Sequence, residues 1–367
     1  MKTILYILAL SSILFANAED IASCKKCHPT ITAEFESSMH KKSTVYEDKV
    51  HQAIWDKHPA KAKDNYNCAE CHTPNATANE VSHEGVTCIS CHTIKSVEKH
   101  AARNKNIYSK DKHTLFSAEK GRESEVVKYK TTTSWWGNKT TIGSAYHDID
   151  YTNEDYYTGE MCMGCHSHKQ NSHQFDVCKT DDKGAQNKEE NCITCHMPKI
   201  GGTATTVRKS ATHAYHGFAG ARVEPRMLAK YVEFGLNKTA KGFNISVENK
   251  APHDLMSHPL RVVQLRVTII RNEKHRDLKT HSFVRIIGHE GKPSMPWLAT
   301  EVVKNNMIKA NEKRVISFDN TIQSGDKVEI VLGFYVVNPK VLKKLNLQDD
   351  KELNKFTVLK GQYFSVE

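Results

Sequence analysis

The sequence predicts an α+β protein: a mostly helical, loop-rich N-terminal domain followed by an antiparallel β-sandwich. Two observations carry that reading. All eleven cysteines lie between Cys24 and Cys195, ten of them in one short repeated pattern. Beyond about residue 240 cysteine is absent and apolar residues alternate with polar ones, the period-two pattern of half-buried strands. With 367 residues the chain has room for more than one domain. The expected division is a leader at 1–18, a cysteine-motif domain at 19–220, a linker helix at 221–241 and the sandwich at 242–367.

The leader reads as a signal peptide. Lys2 gives a basic start, Ile4 to Phe15 is mostly apolar, and Ala16-Asn17-Ala18 supplies the small residues of a cleavage site. Cleavage is expected after Ala18, with export to the periplasm. The apolar run falls short of the ~20 residues of a spanning helix, and no later stretch approaches that length, so no integral membrane span is expected after cleavage.

Within 19–220 the cysteines pair as Cys24 with Cys27, Cys68 with Cys71, Cys88 with Cys91, Cys162 with Cys165 and Cys192 with Cys195. Each pair is followed at once by a histidine: His28, His72, His92, His166 and His196. Cys-x-x-Cys-His is the signature of covalent c-type haem attachment. Residues three and four apart share a face of a helical turn, so two thiols can form thioethers while the adjoining histidine reaches the iron. Each attachment segment is therefore expected to be a short helix, joined to the next by a long loop. Disulfides give no reason for the recurring histidine, and four-cysteine zinc sites need an even number of pairs. The sequence therefore predicts five covalent haem c groups, with the five motif histidines as proximal ligands. Cys178 stands outside the pattern and reads as a buried, inert thiol.

A second, distal ligand for each iron is sought among the other histidines. The candidates are His40, twelve residues after His28; His58, before Pro59; His147, fifteen before Cys162; His213, just after the last motif; and His253. His83, His216 and His258 rank behind them. Met39, Met163 and Met197 are less attractive, lying in or beside motifs or next to a better-placed histidine.

The segment from Cys24 through Pro29 and Phe35 to Ser38-Met39-His40 resembles the opening of the multihaem cytochromes c typified by the nitrifiers' tetrahaem electron carrier. Gly85 to His92, Cys162 to Lys169 and Cys192 to Pro198 are similar to later motifs of that family. The resemblance covers roughly residues 20–220, and it implies that His40 is a distal haem ligand. The tracts His213 to Gly220 and Asn249 to His253 look like tail segments of larger relatives that carry a β-domain. This chain differs from the tetrahaem type in its five motifs and long C-terminal extension.

The wide gap before the fourth motif, Lys112 to Tyr157, is rich in Thr, Tyr and Trp and reads as a small hairpin or lid. Glu224 to Leu236 reads as an amphipathic linking helix. Strands are expected at 243–247, 263–269, 283–286, 315–318 and 328–336, and a helical turn at 342–347.

The favoured function is electron transfer in an exported, anaerobic type of respiratory chain. Redox proteins would be the partners: a quinol dehydrogenase, other cytochromes or a terminal reductase. The alternative is a multihaem oxidoreductase acting on nitrite, hydroxylamine or tetrathionate at one haem without a distal ligand. All five motifs end in histidine, which favours the carrier and argues against nitrite reductases that replace one such histidine by lysine. The formal charge of +10 is largely matched by the roughly ten propionates of five haems, so nucleic acid is not an expected partner.

Overall fold

The computed structural model describes residues 21–74, 82–180 and 187–367; the expected leader at 1–18 lies outside the described residues. Four motifs end short helices at their histidines: Ala69–His72, Cys88–His92, Met163–His166 and Cys192–His196. Helices this short gain little from propagation, so their ends must be fixed locally. Thr87 and Ser90 form a capping box before the third motif, and Asn191 and Thr194 form another before the fifth.

The first motif departs from the expected single helix. Its helix, Ile21–Lys25, contains Cys24 but stops before Cys27, which lies in a turn. The reason is Pro29, which disfavours helical backbone at the residue before it; His28 accordingly sits at φ −121°, ψ 52°. The turn still keeps the motif folded on itself. The Cys27 amide donates to the Cys24 carbonyl at 3.1 Å, and the His28 amide donates to the same carbonyl at 2.8 Å. The Cys27 carbonyl, released from any helix, accepts from the Thr206 amide at 2.8 Å, a tie to the far end of the motif domain.

Two nine-residue helices, Pro29–Ser37 and Lys49–Lys57, lie between the first and second motifs. Pro29 suits the first helical turn, and Asp48 caps the second helix by accepting from the Val50 amide. The Lys112 to Tyr157 stretch holds two small β units. Lys130–Thr133 and Lys139–Ile142 form an exposed hairpin, and Asp148–Asp150 is flanked by Thr114–Phe116 and Val126–Val127.

The expected linker helix at 221–241 is not formed. Pro225–Tyr231 is a 3₁₀ turn, and Val232–Lys238 is a strand paired along its length with Phe243–Asn249. The apolar residues of 224–236 fit a helical stripe, but Val232, Phe234 and Leu236 also alternate. Pairing with the neighbouring strand satisfies every second side chain and the backbone together, and tertiary context overrides the weak helical pattern.

The C-terminal part is antiparallel throughout, so the protein as a whole is mixed α+β. One sheet joins Val232–Lys238, Phe243–Asn249 and Lys313–Phe318. A second is built on Val262–Arg271 and Lys327–Tyr335, with Thr357–Ser365, Lys274–Asp277 and His281–Phe283 alongside. Alternate residues of both sheets enter one buried cluster that includes Phe243, Ile245, Val247, Leu265, Val267, Ile330, Leu332 and Phe334. A third, smaller sheet pairs Arg285–His289 with Lys292–Pro293 and Glu301–Asn305.

The N- and C-terminal parts are packed against each other. Val50 of the Lys49–Lys57 helix is buried with Val337, Leu342 and Leu345, the last two in and beside the helix Pro339–Lys344. Asn171 donates to the carbonyls of Pro296 and Ala299, and Arg285 donates to those of Asp176 and Val177. The segment 250–261, between two strands, passes back to the motif domain.

Leu265 is fully buried at the centre of the sheet cluster. Leu265→Ala should cost about 2–5 kcal/mol, read as a lower urea midpoint by far-UV circular dichroism. Covalent cofactor loading, read by intact mass, should be unchanged, because no cysteine motif touches that cluster.

Candidate haem-ligating site

An imidazole nitrogen binds a first-row metal at about 2.0–2.1 Å, with the ring centre about 1 Å further, so two imidazoles sharing one ion stand about 6 Å apart, centre to centre. Four motif histidines have a second histidine ring at this spacing. His28 and His147 are 6.2 Å apart, His92 and His216 6.4 Å, and His196 and His253 6.1 Å, with ring planes 29°, 16° and 19° apart. His40 and His166 are 5.8 Å apart with planes crossed at 81°.

A ligating imidazole needs a free lone pair, and a hydrogen bond from its other nitrogen fixes which atom carries the proton. A carbonyl can only accept, so a ring nitrogen bonded to one is the donor. Nδ1 of His28 donates to the Ala204 carbonyl at 2.9 Å, that of His72 to Ser43 at 3.1 Å, that of His92 to Phe116 at 2.7 Å and that of His196 to Ala219 at 2.6 Å. The facing rings do the same: His147 to Asp148, His216 to Ala214 and His253 to Asp254. In each, Nε2 keeps its lone pair. His40 differs, since its Nδ1 is buried without a partner, as suits a ring whose lone pair is reserved for a metal. Burial also disfavours protonation. It pushes His40 down to about 3, helped by His166, and His72 and His216 down to about 4, helped by His51 and His92 respectively. His92, His147, His166 and His196 are lowered for the same reason. All ten motif cysteines, Cys27 in its turn included, are half-buried beside these rings. Paired neutral rings beside paired thiols fit c-type haem.

The structure thus brings His40, His147 and His253 to motif histidines, together with His216, which the sequence ranked lower. It does not do so for His58, His213 or His83. His58 Nδ1 accepts from the Ala60 amide, capping a 3₁₀ turn, and its ring lies against Trp55 and Trp297. His213 is engaged at both nitrogens, with the Gly202 carbonyl at 3.0 Å and Glu34 at 2.7 Å. His83 stacks on Tyr46. Cys178, expected to be buried, is exposed at the end of the strand Asp176–Cys178. The bulk of protein around it raises its pKa, and Cys71 adds to this, so it remains a protonated thiol.

His72 is the exception among the motif histidines. Among the described residues no ring faces it at the 6 Å spacing. His51 lies 4.2 Å away, tilted by 49°, too close to share an ion, and bonds Ser43 and Tyr66 instead. His258 is near enough to His72 to interact electrostatically, but its Nδ1 accepts from the Leu260 amide at 3.3 Å. That tautomer carries its proton on Nε2 and has no lone pair there.

Thiols of different motifs are neighbours, which orders the sites in space. Cys24 adjoins Cys88, Cys71 adjoins Cys165, and Cys162 adjoins Cys192. Cys91 and Cys162 interact electrostatically. The first, third, fourth and fifth motifs therefore form a series, with the second branching at the fourth. Cys27, the second thiol of the first motif, takes no part in these contacts; Cys24 alone makes the link to the third motif.

The model of the family described as cytochrome c554 and c-prime matches residues 23–93, which span the first three motifs. A solved structure similar to this chain is the penta-heme cytochrome c552 from Thermochromatium tepidum, with 20% identity, a TM-score of 0.67, and coverage of 94% of this chain and 97% of that one. At that identity the likeness concerns the fold. A search of curated proteins finds no match. Among the described residues no helix is long and apolar enough to cross a membrane.

His213 offers a pH test. Its burial opposes charge, but the Glu34 carboxylate and the Gly202 carbonyl outweigh it, and its pKa is raised. A raised folded pKa gives stability that is complete below the unfolded value of about 6.5 and is lost as pH rises through the folded value. Glu34→Gln should flatten the fall in urea midpoint above neutrality while leaving haem spectra unchanged.

Proposed function

We propose that the chain is a multihaem c-type cytochrome holding five covalent haems and serving electron transfer in an exported redox chain. The observation that carries this is the facing of four motif histidines by a second histidine at 5.8–6.4 Å. Bound haem would supply one-electron redox chemistry. The chain's part is to fix position and ligation. Cys24 and Cys27, Cys68 and Cys71, Cys88 and Cys91, Cys162 and Cys165, and Cys192 and Cys195 would anchor the groups, with His28, His72, His92, His166 and His196 as proximal ligands. His147, His216, His40 and His253 would be distal to the first, third, fourth and fifth. Neighbouring thiols of different motifs support a connected set of redox sites, the first, third, fourth and fifth in series and the second branching at the fourth. Periplasmic location rests on the leader, and the partners would be other redox proteins.

One observation favours a second role within the same protein. Among the described residues no histidine ring faces His72 at the 6 Å spacing, so its haem would offer an open position, as in an oxidoreductase of small nitrogen or sulfur compounds. The four paired sites would then relay electrons to or from it.

Intact mass of the exported protein should exceed that of residues 19–367 by five increments of about 0.6 kDa. Electron paramagnetic resonance of the ferric protein should show low-spin signals from four haems and a high-spin signal from one. The crossed pair of His40 and His166 should give a low-spin spectrum distinct from the three near-parallel pairs. Fewer than five haems would overturn the attachment scheme. Five low-spin signals would leave a carrier alone.

A further inference from the structure

The stretch between Val127 and Asp148 leaves the body of the protein and returns to it. Its strands Lys130–Thr133 and Lys139–Ile142 pair with Lys130 opposite Ile142 and Thr133 opposite Lys139, and every residue from Lys128 to Gly143 is exposed. The turn at the tip is held by its own bonds. The Gly137 amide donates to the Ser134 carbonyl at 2.9 Å, the Ser134 amide donates to the Asn138 carbonyl at 2.8 Å, and the Asn138 amide donates to the Ser134 hydroxyl at 3.1 Å. Gly137 takes the left-handed φ of 77° that the turn requires. A two-stranded hairpin is marginal on its own in water, and this one buries neither face, so packing gives no account of it.

The hairpin presents Trp135 and Trp136, side by side in the turn and 95% and 85% exposed. They are two of the chain's four tryptophans, a residue type that is highly buried on average. Four-residue strands put them about 13 Å beyond the root at Lys130 and Ile142. Tyr129, Ile142 and Tyr146 are exposed behind them. From Val126 to His147 the chain has three lysines, Lys128, Lys130 and Lys139, and no Asp or Glu. The protrusion is aromatic at its tip, and its fixed charge is positive throughout.

We propose that this hairpin is a membrane-docking element that seats the protein on an anionic lipid surface. Shape and charge together select that occupant. A tip exposed on all sides needs a socket of matching shape in a protein partner, whereas a lipid headgroup layer gives way around it. Tryptophan and tyrosine favour that layer, because each ring has an apolar body and one polar N–H or O–H. Lysines behind the tip can lay their stems along the apolar zone and reach lipid phosphates, and anionic lipid attracts each of them. Attachment of this kind is peripheral and reversible. The second strand leads through Tyr146 to His147, whose ring faces His28 at 6.2 Å. Docking would therefore hold the first-motif site, one end of the series, on the side of the protein that meets the lipid. That last step rests on the haem reading above, whereas lipid binding does not.

The full haem-loaded chain is sedimented with vesicles of phosphatidylglycerol and phosphatidylcholine, and with vesicles of phosphatidylcholine alone, after intact mass has given its haem number. It should bind the anionic vesicles more tightly, and high salt should weaken that binding. Trp135→Ser with Trp136→Ser should weaken it at least about tenfold. Lys128→Gln, Lys130→Gln and Lys139→Gln together should weaken it about a hundredfold, at about fivefold for each lysine. Urea midpoints and haem spectra should be unchanged in both variants, since Lys128 to Gly143 is exposed throughout. A wild-type chain that stays in the supernatant with anionic vesicles would overturn docking, as would binding that survives the tryptophan substitutions. A wild-type dimer in analytical ultracentrifugation that ignores vesicles and is lost in the tryptophan variant would assign the tip to a second copy and overturn docking. Fewer than five haems with vesicle binding intact would overturn the haem reading and leave the docking element standing.

Discussion

The structure depends on the backbone carbonyls that four motif histidines and three of the rings facing them find for Nδ1–H. A histidine carries one proton and one lone pair in its neutral form, and which nitrogen holds which is set by what the ring is bonded to. The carbonyls that fix the motif histidines come from far along the chain: Ala204 for His28, Phe116 for His92, Ala219 for His196 and Ser43 for His72. Each is a long-range tie that no helix or strand needs for itself. A chain that must bring a distant carbonyl to four motif histidines and a second ring to four of the five becomes loop-rich. Long connections, unusual in ordinary domains, have here a constraint that orders them.

The same requirement ties the β part to the motif part. His253 faces His196, and it lies between the strands Phe243–Asn249 and Val262–Arg271. Asn249 holds that segment in shape by donating to the His253 carbonyl and the Lys309 carbonyl. The buried cluster of Val50 with Leu342 and Leu345 and the Lys49–Asp350 ion pair close the interface elsewhere. Of these, the buried contact contributes most to stability, since an exposed ion pair is worth little. The antiparallel sheets thus act as a frame from which one side chain, His253, reaches a motif histidine.

How much of this was legible in the sequence follows from the physics of each feature. The five motifs were legible because covalent attachment fixes residue type and spacing within one helical turn. Cys27 shows that the spacing outlasts the helix: Pro29 ends regular structure before it, yet its amide and that of His28 still close on Cys24. The strands Phe243–Asn249, Val262–Arg271, Lys313–Phe318 and Lys327–Tyr335 were legible because each buries one face, whereas the mostly exposed Lys274–Asp277 and Glu301–Asn305 were not, and the strand expected at 283–286 is divided between His281–Phe283 and Arg285–His289. Val232–Lys238 was not legible either, since its apolar spacing fits a helix or a strand, and only its neighbour Phe243–Asn249 decides. His40, His147 and His253 stood out by position, but His216 could not be placed above His213. The two lie three residues apart, and what separates them is Glu34, 179 residues from His213 in sequence, which takes His213 Nε2. The carbonyl partners left no signal, because every residue has a carbonyl.

Proton placement separates three of the histidines that face a motif ring from His58 and His258, which do not. His147, His216 and His253 donate through Nδ1 to a carbonyl at most two residues away, leaving Nε2 a lone pair. His58 and His258 accept at Nδ1 from an amide two residues on and so carry the proton on Nε2. In both of these a turn follows the histidine: His58-Pro59 opens a 3₁₀ helix, and His258-Pro259 precedes the bend into Val262–Arg271. Proline lacks an amide hydrogen, so the first N–H available to the ring is that of the next residue, and its direction makes the ring an acceptor. In these two turns the proline thereby biases the histidine toward a donor Nε2 and away from metal ligation. His28 also precedes a proline, but the Ala204 carbonyl takes its Nδ1–H and restores the lone pair at Nε2. On that ground His72 is left without a histidine partner by the local chemistry of His258-Pro259, and His258 becomes a hydrogen-bond donor beside it.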